Sequence, residues 1–284
     1  MYCIACHFKE CDFFVRKNNN DIFRCCDCGL LFVYPTILDT AVIYSGDYFH
    51  GATGGFGYID YEIDKEPMIP AFTKYIDLIE KNSLRKGKLL DVGAATGFFI
   101  KMAGNRGWEA EGVEISDYAA SQARANGHKV KTGSLSSIVT PPETYSVITM
   151  FDVFEHFNDP EKELKIAHKS LSKEGLIMIN TPNSGSLYAK LLGKNWHLLV
   201  PPEHLFLFNQ KSLGIMLERV GFKVIMTSNI GKKFTLSYIL RMLHKWQGLK
   251  IWKKMHEFFS RNKHLNVSLP INFHDNFFVI ARKK

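Results

Sequence analysis

All six cysteines of this 284-residue chain fall within its first 28 positions. Cys3 and Cys6 form one C-x2-C pair and Cys25 and Cys28 a second, with 18 residues between the pairs. A C-x-x-C turn points two thiolates at one spot, and two such turns complete a tetrahedral Zn(II) site. Four thiolates leave no open position, so a site of this kind is structural. A ribbon of roughly 30 residues buries too little to hold itself together, and metal binding would supply its folding energy. Disulfides are the competing reading, and they belong to oxidising compartments. Cys11 and Cys26 are left over as packed thiols. Asp12–Val15 and Ile22–Arg24 are expected as the strands of a hairpin, joined by the turn-rich Lys17-Asn18-Asn19-Asn20. Gly29 follows the second pair, where a knuckle turn tolerates a positive φ.

A second constellation begins at Lys88. The stretch Lys88-Leu89-Leu90-Asp91-Val92-Gly93-Ala94-Ala95-Thr96-Gly97-Phe98-Phe99 is an apolar strand ending in an acid, then a small-residue turn, then a helix. Small residues let the backbone approach a ligand at the carboxyl edge of a sheet. The next strand ends at Glu114, 23 residues after Asp91. A carboxylate there suits a ribose diol. A dinucleotide fingerprint needs G-x-G-x-x-G so that pyrophosphate can sit on the helix N-terminus. Counted from Gly93, its second and third positions are Ala95 and Phe98, and Phe98 would obstruct close helix–strand packing.

These residues need a scaffold, and the chain alternates strand and helix patterns to supply one. Strands are expected at Lys88–Val92, Ala110–Glu114, Lys129–Lys131, Tyr145–Phe151, Gly175–Asn180, Phe222–Thr227 and Asn276–Arg282. Helices are expected at Met68–Ile79, Phe98–Asn105 and Asp117–Asn126. A further helix is capped by Asp159, opens on Pro160 and is stopped by Gly175. Another is capped by Asn209 and ended by Gly221. Such alternation implies a doubly wound α/β fold, its mostly parallel sheet covered on both faces. The organisation expected is a zinc ribbon over 1–32, a connecting segment over 33–80 with pocket-lining aromatics (Tyr44, Tyr48 and Phe49 among them), and a main domain over 81–284.

The loop at Asp91 resembles the D-x-G-x-G-x-G signature of class I S-adenosylmethionine-dependent methyltransferases, with Ala95 in place of the middle glycine. Asp152-Val153-Phe154-Glu155-His156-Phe157-Asn158-Asp159-Pro160 looks like the fourth-strand motif of that superfamily. Together with the cysteine ribbon and the Pro202-Glu203-His204 block, the chain is similar to the branch containing sugar C-methyltransferases and methyltransferases of surface-polysaccharide pathways. The resemblance implies a Rossmann-like sheet of seven strands, the last antiparallel. It also implies S-adenosylmethionine as cofactor. Asp91, Gly93, Ala94 and Gly97 would hold its methionine end and Glu114 the ribose. Ile115 and Leu135 would flank the adenine, and Phe151 and Asp152 would floor the pocket. Gly133-Ser134-Leu135 puts serine where the family often has an acid for the adenine amine.

Methyl transfer to a hydroxyl or carbon acid requires alignment and removal of a proton. Histidine suits that work near neutral pH. His204, preceded by Glu203, lies in a loop past the fifth strand and matches a glutamate–histidine pair proposed as base in the similar sugar C-methyltransferases. His156, after Glu155, leaves the fourth strand at the same edge and is the second candidate. Trp196 and His197 are candidates for a lid.

The net charge is +8, which favours anionic partners. Residues 241–263 carry seven Lys/Arg against Glu257 alone. The 229–268 stretch reads as two helices, serving as a packing or homodimer element, a cap, or a membrane-surface element. The acceptor expected is a small molecule, a phosphate-bearing nucleotide-linked sugar or glycan precursor. An RNA acceptor docked by the ribbon, and a non-catalytic S-adenosylmethionine-binding protein, are the alternatives. With no leader-like or membrane-spanning run in the sequence, the expected compartment is the cytoplasm.

Overall fold

The computed structural model describes residues 1–35, 68–138, 140–230, 232–271 and 274–284. Tyr44, Tyr48 and Phe49 lie outside the described residues. The ribbon contains strands β1 (Cys11–Lys17), β2 (Asn20–Cys25) and β3 (Leu31–Val33). Asn18 and Asn19, both at positive φ, make the tight turn that joins β1 to β2.

Beyond the ribbon, helix α1 (Ile69–Asn82) precedes strand β4 (Lys88–Val92), helix α2 (Phe98–Asn105), strand β5 (Glu109–Glu114), helix α3 (Asp117–Ala125) and strand β6 (Val130–Thr132). Strand β7 (Tyr145–Phe151), helix α4 (Pro160–Ser170), strand β8 (Leu171–Pro182), helix α5 (Leu187–Leu192) and strand β9 (Phe206–Leu207) follow. Helix α6 (Gln210–Val220) leads into strand β10 (Phe222–Ser228). A two-stranded excursion of β11 (Lys232–Thr235) and β12 (Ser268–Ile271) encloses helices α7 (Leu236–Gln247) and α8 (Lys250–Arg261), and β13 (Asn276–Lys283) closes the fold.

The main sheet has the order β10-β13-β8-β7-β4-β5-β6. Strands β8, β7, β4, β5 and β6 are parallel, and β13 runs antiparallel between β8 and β10. The seven-stranded sheet with an antiparallel last strand is the one the methyltransferase resemblance implies. Its side chains alternate strictly. Leu89, Val147, Met178 and Phe278 pack on one face with Phe72, Tyr75 and Ile76 of α1. Their neighbours Leu90, Ile148, Ile177 and Phe277 pack on the other with Leu164 of α4 and Leu213 of α6. Burial on both faces explains the near-continuous apolar runs.

The ends of α4 and α6 follow local chemistry. Asp159 accepts from Lys162 N at the start of α4, and Asn209 with Ser212 forms a reciprocal cap on α6, which ends at left-handed Gly221. Helix α4 does not reach Gly175 as the sequence reading expects. Leu171 turns extended and pairs with Tyr145. Glu174 takes a left-handed φ of 62°, so Gly175 lies within β8, beside a register shift in the β7–β8 ladder.

The ribbon is built into the rest of the molecule. Its sheet takes a fourth strand from the main domain, in the order β1-β2-β3-β9, with Leu31 opposite Leu207 and Phe32 opposite Phe206. Leu30, Leu31, Phe32 and Val33 share one core with α4 and α6. The 229–268 stretch contains the two expected helices; strand β11 within it and strand β12, which begins at its last residue, are not anticipated by the sequence reading. Among the described residues no helix is long and apolar enough to cross a membrane.

Candidate active site

The carboxyl end of β4 delivers Asp91, which is 4% exposed. Its Oδ1 accepts from Thr149 Oγ1 of the neighbouring strand at 2.6 Å. The chain then folds back on β5: Gly93 N and Ala94 N both donate to Val113 O, at 2.9 and 3.0 Å. Gly93 and Gly97 take left-handed φ values of 79° and 87°, which side chains resist. A Cβ on Gly93 would lie 2.8 Å from Val153, and one on Gly97 would lie 2.5 Å from the His128 ring. Glu114 turns its carboxylate into this loop, accepting from Ala95 N and Ser116 N at 2.9 Å each. Burial pushes its acidity up in pKa, and these backbone amides oppose the shift. A carboxylate has about four acceptor positions, so the loop bonds leave capacity for a ribose hydroxyl.

The structure therefore brings Asp91, Gly93, Ala94, Gly97 and Glu114 to one point. No lysine or arginine occurs between Asp91 and Phe99. Two buried carboxylates and a tight backbone fit a cationic, phosphate-free adenosyl group better than a pyrophosphate. Ile115 follows, partly buried, while Leu135 is fully enclosed in the core. Phe151 lies between Tyr75 and Phe99, with ring centroids 4.7 and 5.0 Å away. Asp152, at a left-handed φ of 54°, accepts from Asn180 Nδ2 at 2.5 Å.

Sequence reasoning passes over Thr149, Asn180 and Gly112. Gly112 carries a readable signal, a glycine inside a strand pattern. A Cβ there would lie 2.5 Å from Ala94 Cβ, so the loop can rest on β5 only because this position is bare.

The second cluster lies where the chain leaves β7 and where it approaches β9. His156 and His204 meet with ring centroids 4.9 Å apart. His156 Nδ1 donates to Glu203 O, and His204 Nδ1 donates to Leu198 O, both at 2.6 Å. Glu203 thus acts on His156 through its backbone carbonyl. Glu155, 2% exposed, accepts from Thr181 Oγ1 at 2.9 Å. Its other oxygen lies 3.9 Å from His156 Nε2. Burial holds both imidazoles below their usual pKa, His204 at about 3 with His156 adding to the effect. Both rings are therefore neutral at pH 7. Trp196, read as a lid residue, is instead 1% exposed within the core, and His197 pairs with Asp275 at 3.3 Å.

The thiols of Cys3, Cys6, Cys25 and Cys28 all lie within 4.8 Å of one another. The Cys3–Cys28 and Cys6–Cys25 sulfur separations are 3.5 Å. A tetrahedron with Zn–S bonds near 2.3 Å has edges of about 3.8 Å, so this donor set fits Zn(II). Cys28 pulls the Cys3 thiol down to about 5, and burial pushes Cys6 up to about 11. Cys11, pushed to about 12 by burial, and exposed Cys26 stand outside the four.

Sheet order, carboxylate-tipped β4 and the small-residue bend define the S-adenosylmethionine-dependent methyltransferase class. The profile of the methyltransferase domain family matches residues 69–227, more than half of the chain, which belongs to that family. A solved S-adenosylmethionine-dependent methyltransferase from Thermotoga maritima, described as a possible histamine N-methyltransferase, aligns with a TM-score of 0.51 at 19% identity, covering 79% of this chain and 94% of that one. Another, from Archaeoglobus fulgidus, has a TM-score of 0.51 at 17% identity and covers 78% and 99%. A ubiquinone biosynthesis O-methyltransferase of Saccharophagus degradans is 26% identical over 121 residues, 40% of this chain and 50% of its own length. The chain spans about half the length of the curated relatives it matches.

Proposed function

We propose that this chain transfers the methyl group of S-adenosylmethionine to a small-molecule acceptor, a nucleotide-linked sugar or related glycan precursor. The carrying observation is that the Asp91–Glu114 loop and the His156–His204 cluster emerge at one edge of the sheet, off β4, β5 and β7. S-adenosylmethionine supplies a methyl group already activated by a positive sulfur. Asp91 and the carbonyls around Gly93 and Gly97 hold its ammonium end, Glu114 its ribose, Ile115 and Leu135 flank its base, and Phe151 and Asp152 line the floor. His204, with His156 beside it, relieves the acceptor of its proton, and the carbonyl of Glu203 fixes the His156 ring.

A groove of about 830 Å³ between the ribbon and the main domain supports a phosphate-bearing acceptor. Among the described residues, Arg24, Lys190 and Lys211 line it together with Asn183, Asn209 and Gln210, with Lys211 paired to Asp27 at 2.9 Å. The names of the curated relatives favour oxygen as the acceptor atom. Cys3, Cys6, Cys25 and Cys28 hold a structural Zn(II) in this reading, and residues 229–268 form a packing or dimer element.

Calorimetric titration with S-adenosylmethionine tests the proposal. Wild type binds one equivalent, and Asp91→Ala or Glu114→Ala removes the heat. A wild-type protein that binds none overturns it.

A further inference from the structure

We propose that Glu155, His156 and His204 form a divalent-cation site at the acceptor end of the cleft, two imidazoles and one carboxylate facing a common point. One ligand atom from each lies within 4.8 Å of the other two, so modest side-chain adjustment brings all three onto a single ion. The inference rests on the reading that this edge receives the acceptor, and it gives the histidine pair a means of acting there.

The outer partners of the three residues are those a metal site requires. Ligating histidines commonly donate their second ring N–H to a carbonyl or carboxylate, which fixes the tautomer and aims the ring. His156 Nδ1 does so to Glu203 O and His204 Nδ1 to Leu198 O. Each Nε2 therefore carries the lone pair. Thr181 Oγ1 holds one oxygen of Glu155 and leaves Oε1 on the side of His156 Nε2. Glu155 is 2% exposed, which sets this ligand away from bulk solvent.

The ligands come from separate parts of the chain. Glu155 and His156 sit on the single turn Phe154–His156 after β7. His204 sits in the loop before β9, and Leu205 N donates to Glu155 O at 2.9 Å, which ties the two parts together. Two imidazoles and a carboxylate suit a divalent first-row ion such as Fe(II), Co(II) or, through the oxygen donor, Mn(II). The three ligands found among the described residues leave coordination positions for acceptor oxygen and water. An acceptor hydroxyl bound there is more acidic than in water; with both Nε2 atoms on the ion, the two rings act as its ligands in place of proton acceptors, and the proton passes to solvent. The site therefore selects acceptors that present an oxygen to the ion.

Mn(II) titration followed by electron paramagnetic resonance tests this on the full chain, with the ribbon loaded with zinc and neither cofactor nor acceptor present. Mn(II) competes poorly for four thiolates, so the ribbon stays silent. Wild type is expected to bind one Mn(II). Glu155→Gln and His204→Ala should abolish that binding, and Thr181→Val should weaken it about 10–100-fold through loss of the outer partner. Each variant's melting transition is recorded alongside, and Glu155→Gln keeps the Thr181 contact if His204→Ala unfolds. Wild type without bound Mn(II) at millimolar concentration, or binding unaltered in Glu155→Gln, overturns the site. Either result leaves S-adenosylmethionine binding intact, whereas failure of the methyl-transfer reading appears in the cofactor titration itself.

Discussion

Val33 donates its backbone N–H to the carbonyl of Leu205 at 2.9 Å, which couples the last ribbon strand to the residue beside His204. Asn18 Nδ2 adds a bond to Pro201 O at 2.8 Å from the hairpin tip. The cysteine cluster thus braces the loop that carries the proposed acceptor-side histidine.

That coupling predicts that loss of one thiol reaches the chemistry. Cys28→Ser should remove the metal measured by elemental analysis and lower the melting temperature, since structural zinc contributes about 10 kcal/mol or more to small domains. It should also lower turnover about a hundredfold, the size expected when a reacting group moves by about 1 Å. Full turnover in metal-free Cys28→Ser would show that the loop holds its place unaided.

Gly112 gives a sharper test of the cofactor loop. A methyl group there would lie 2.5 Å from Ala94 Cβ and 2.7 Å from Ile100 Cδ1. Overpacking of this kind costs about 1–3 kcal/mol. Gly112→Ala should fold with that loss in urea melts and bind S-adenosylmethionine about tenfold more weakly, because the displaced bend carries Gly93 and Gly97. Unchanged affinity would separate the bend's position from binding.

The sheet was readable from sequence because its signals are local. Leu89 and Leu90 point to opposite faces, Asp91 ends a strand, and Asn209 and Gly221 bracket a helix with their own chemistry. The joint between ribbon and domain was not. Strand β9 is two residues long and pairs with β3 across more than 170 positions, leaving no periodicity to detect. The same holds for β11 and β12, four residues each. The His156–His204 pair was legible as two separate candidates. What unites them is a set of carbonyls, those of Glu203 and Leu198, and a backbone acceptor has no residue signature. Glu155 was visible beside His156, but its pairing with Thr181 required the β7–β8 register.

Acid should destabilise the fold through its buried histidines, and His168 isolates the effect from the site. Its ring packs against Phe222 at 5.1 Å, and burial, helped by Lys283, holds its pKa below the ordinary 6.5. Above 6.5 both folded and unfolded states leave it neutral, so its contribution is intact. As pH falls through 6.5 toward the folded value, the unfolded chain takes up the proton first and stability drains. His168→Leu should therefore flatten the decline in urea-melt stability between pH 7.5 and pH 5.5 relative to wild type. An equal decline in both proteins would remove His168 from the acid response.

His204→Ala addresses the proposed chemistry most directly. The cofactor loop makes its hydrogen bonds among Asp91, Ala95, Glu114, Ser116 and Thr149, none of which involves His204. Removing the imidazole should leave S-adenosylmethionine affinity near wild type while turnover falls about 10²–10⁴-fold, the range for loss of a positioned acid–base group. His156→Ala should follow the same pattern, since the two rings lie 4.9 Å apart at one point. The split between affinity and rate is the diagnostic. A parallel fall in both would indicate a collapsed loop, and wild-type turnover in His204→Ala would take the residue out of the mechanism.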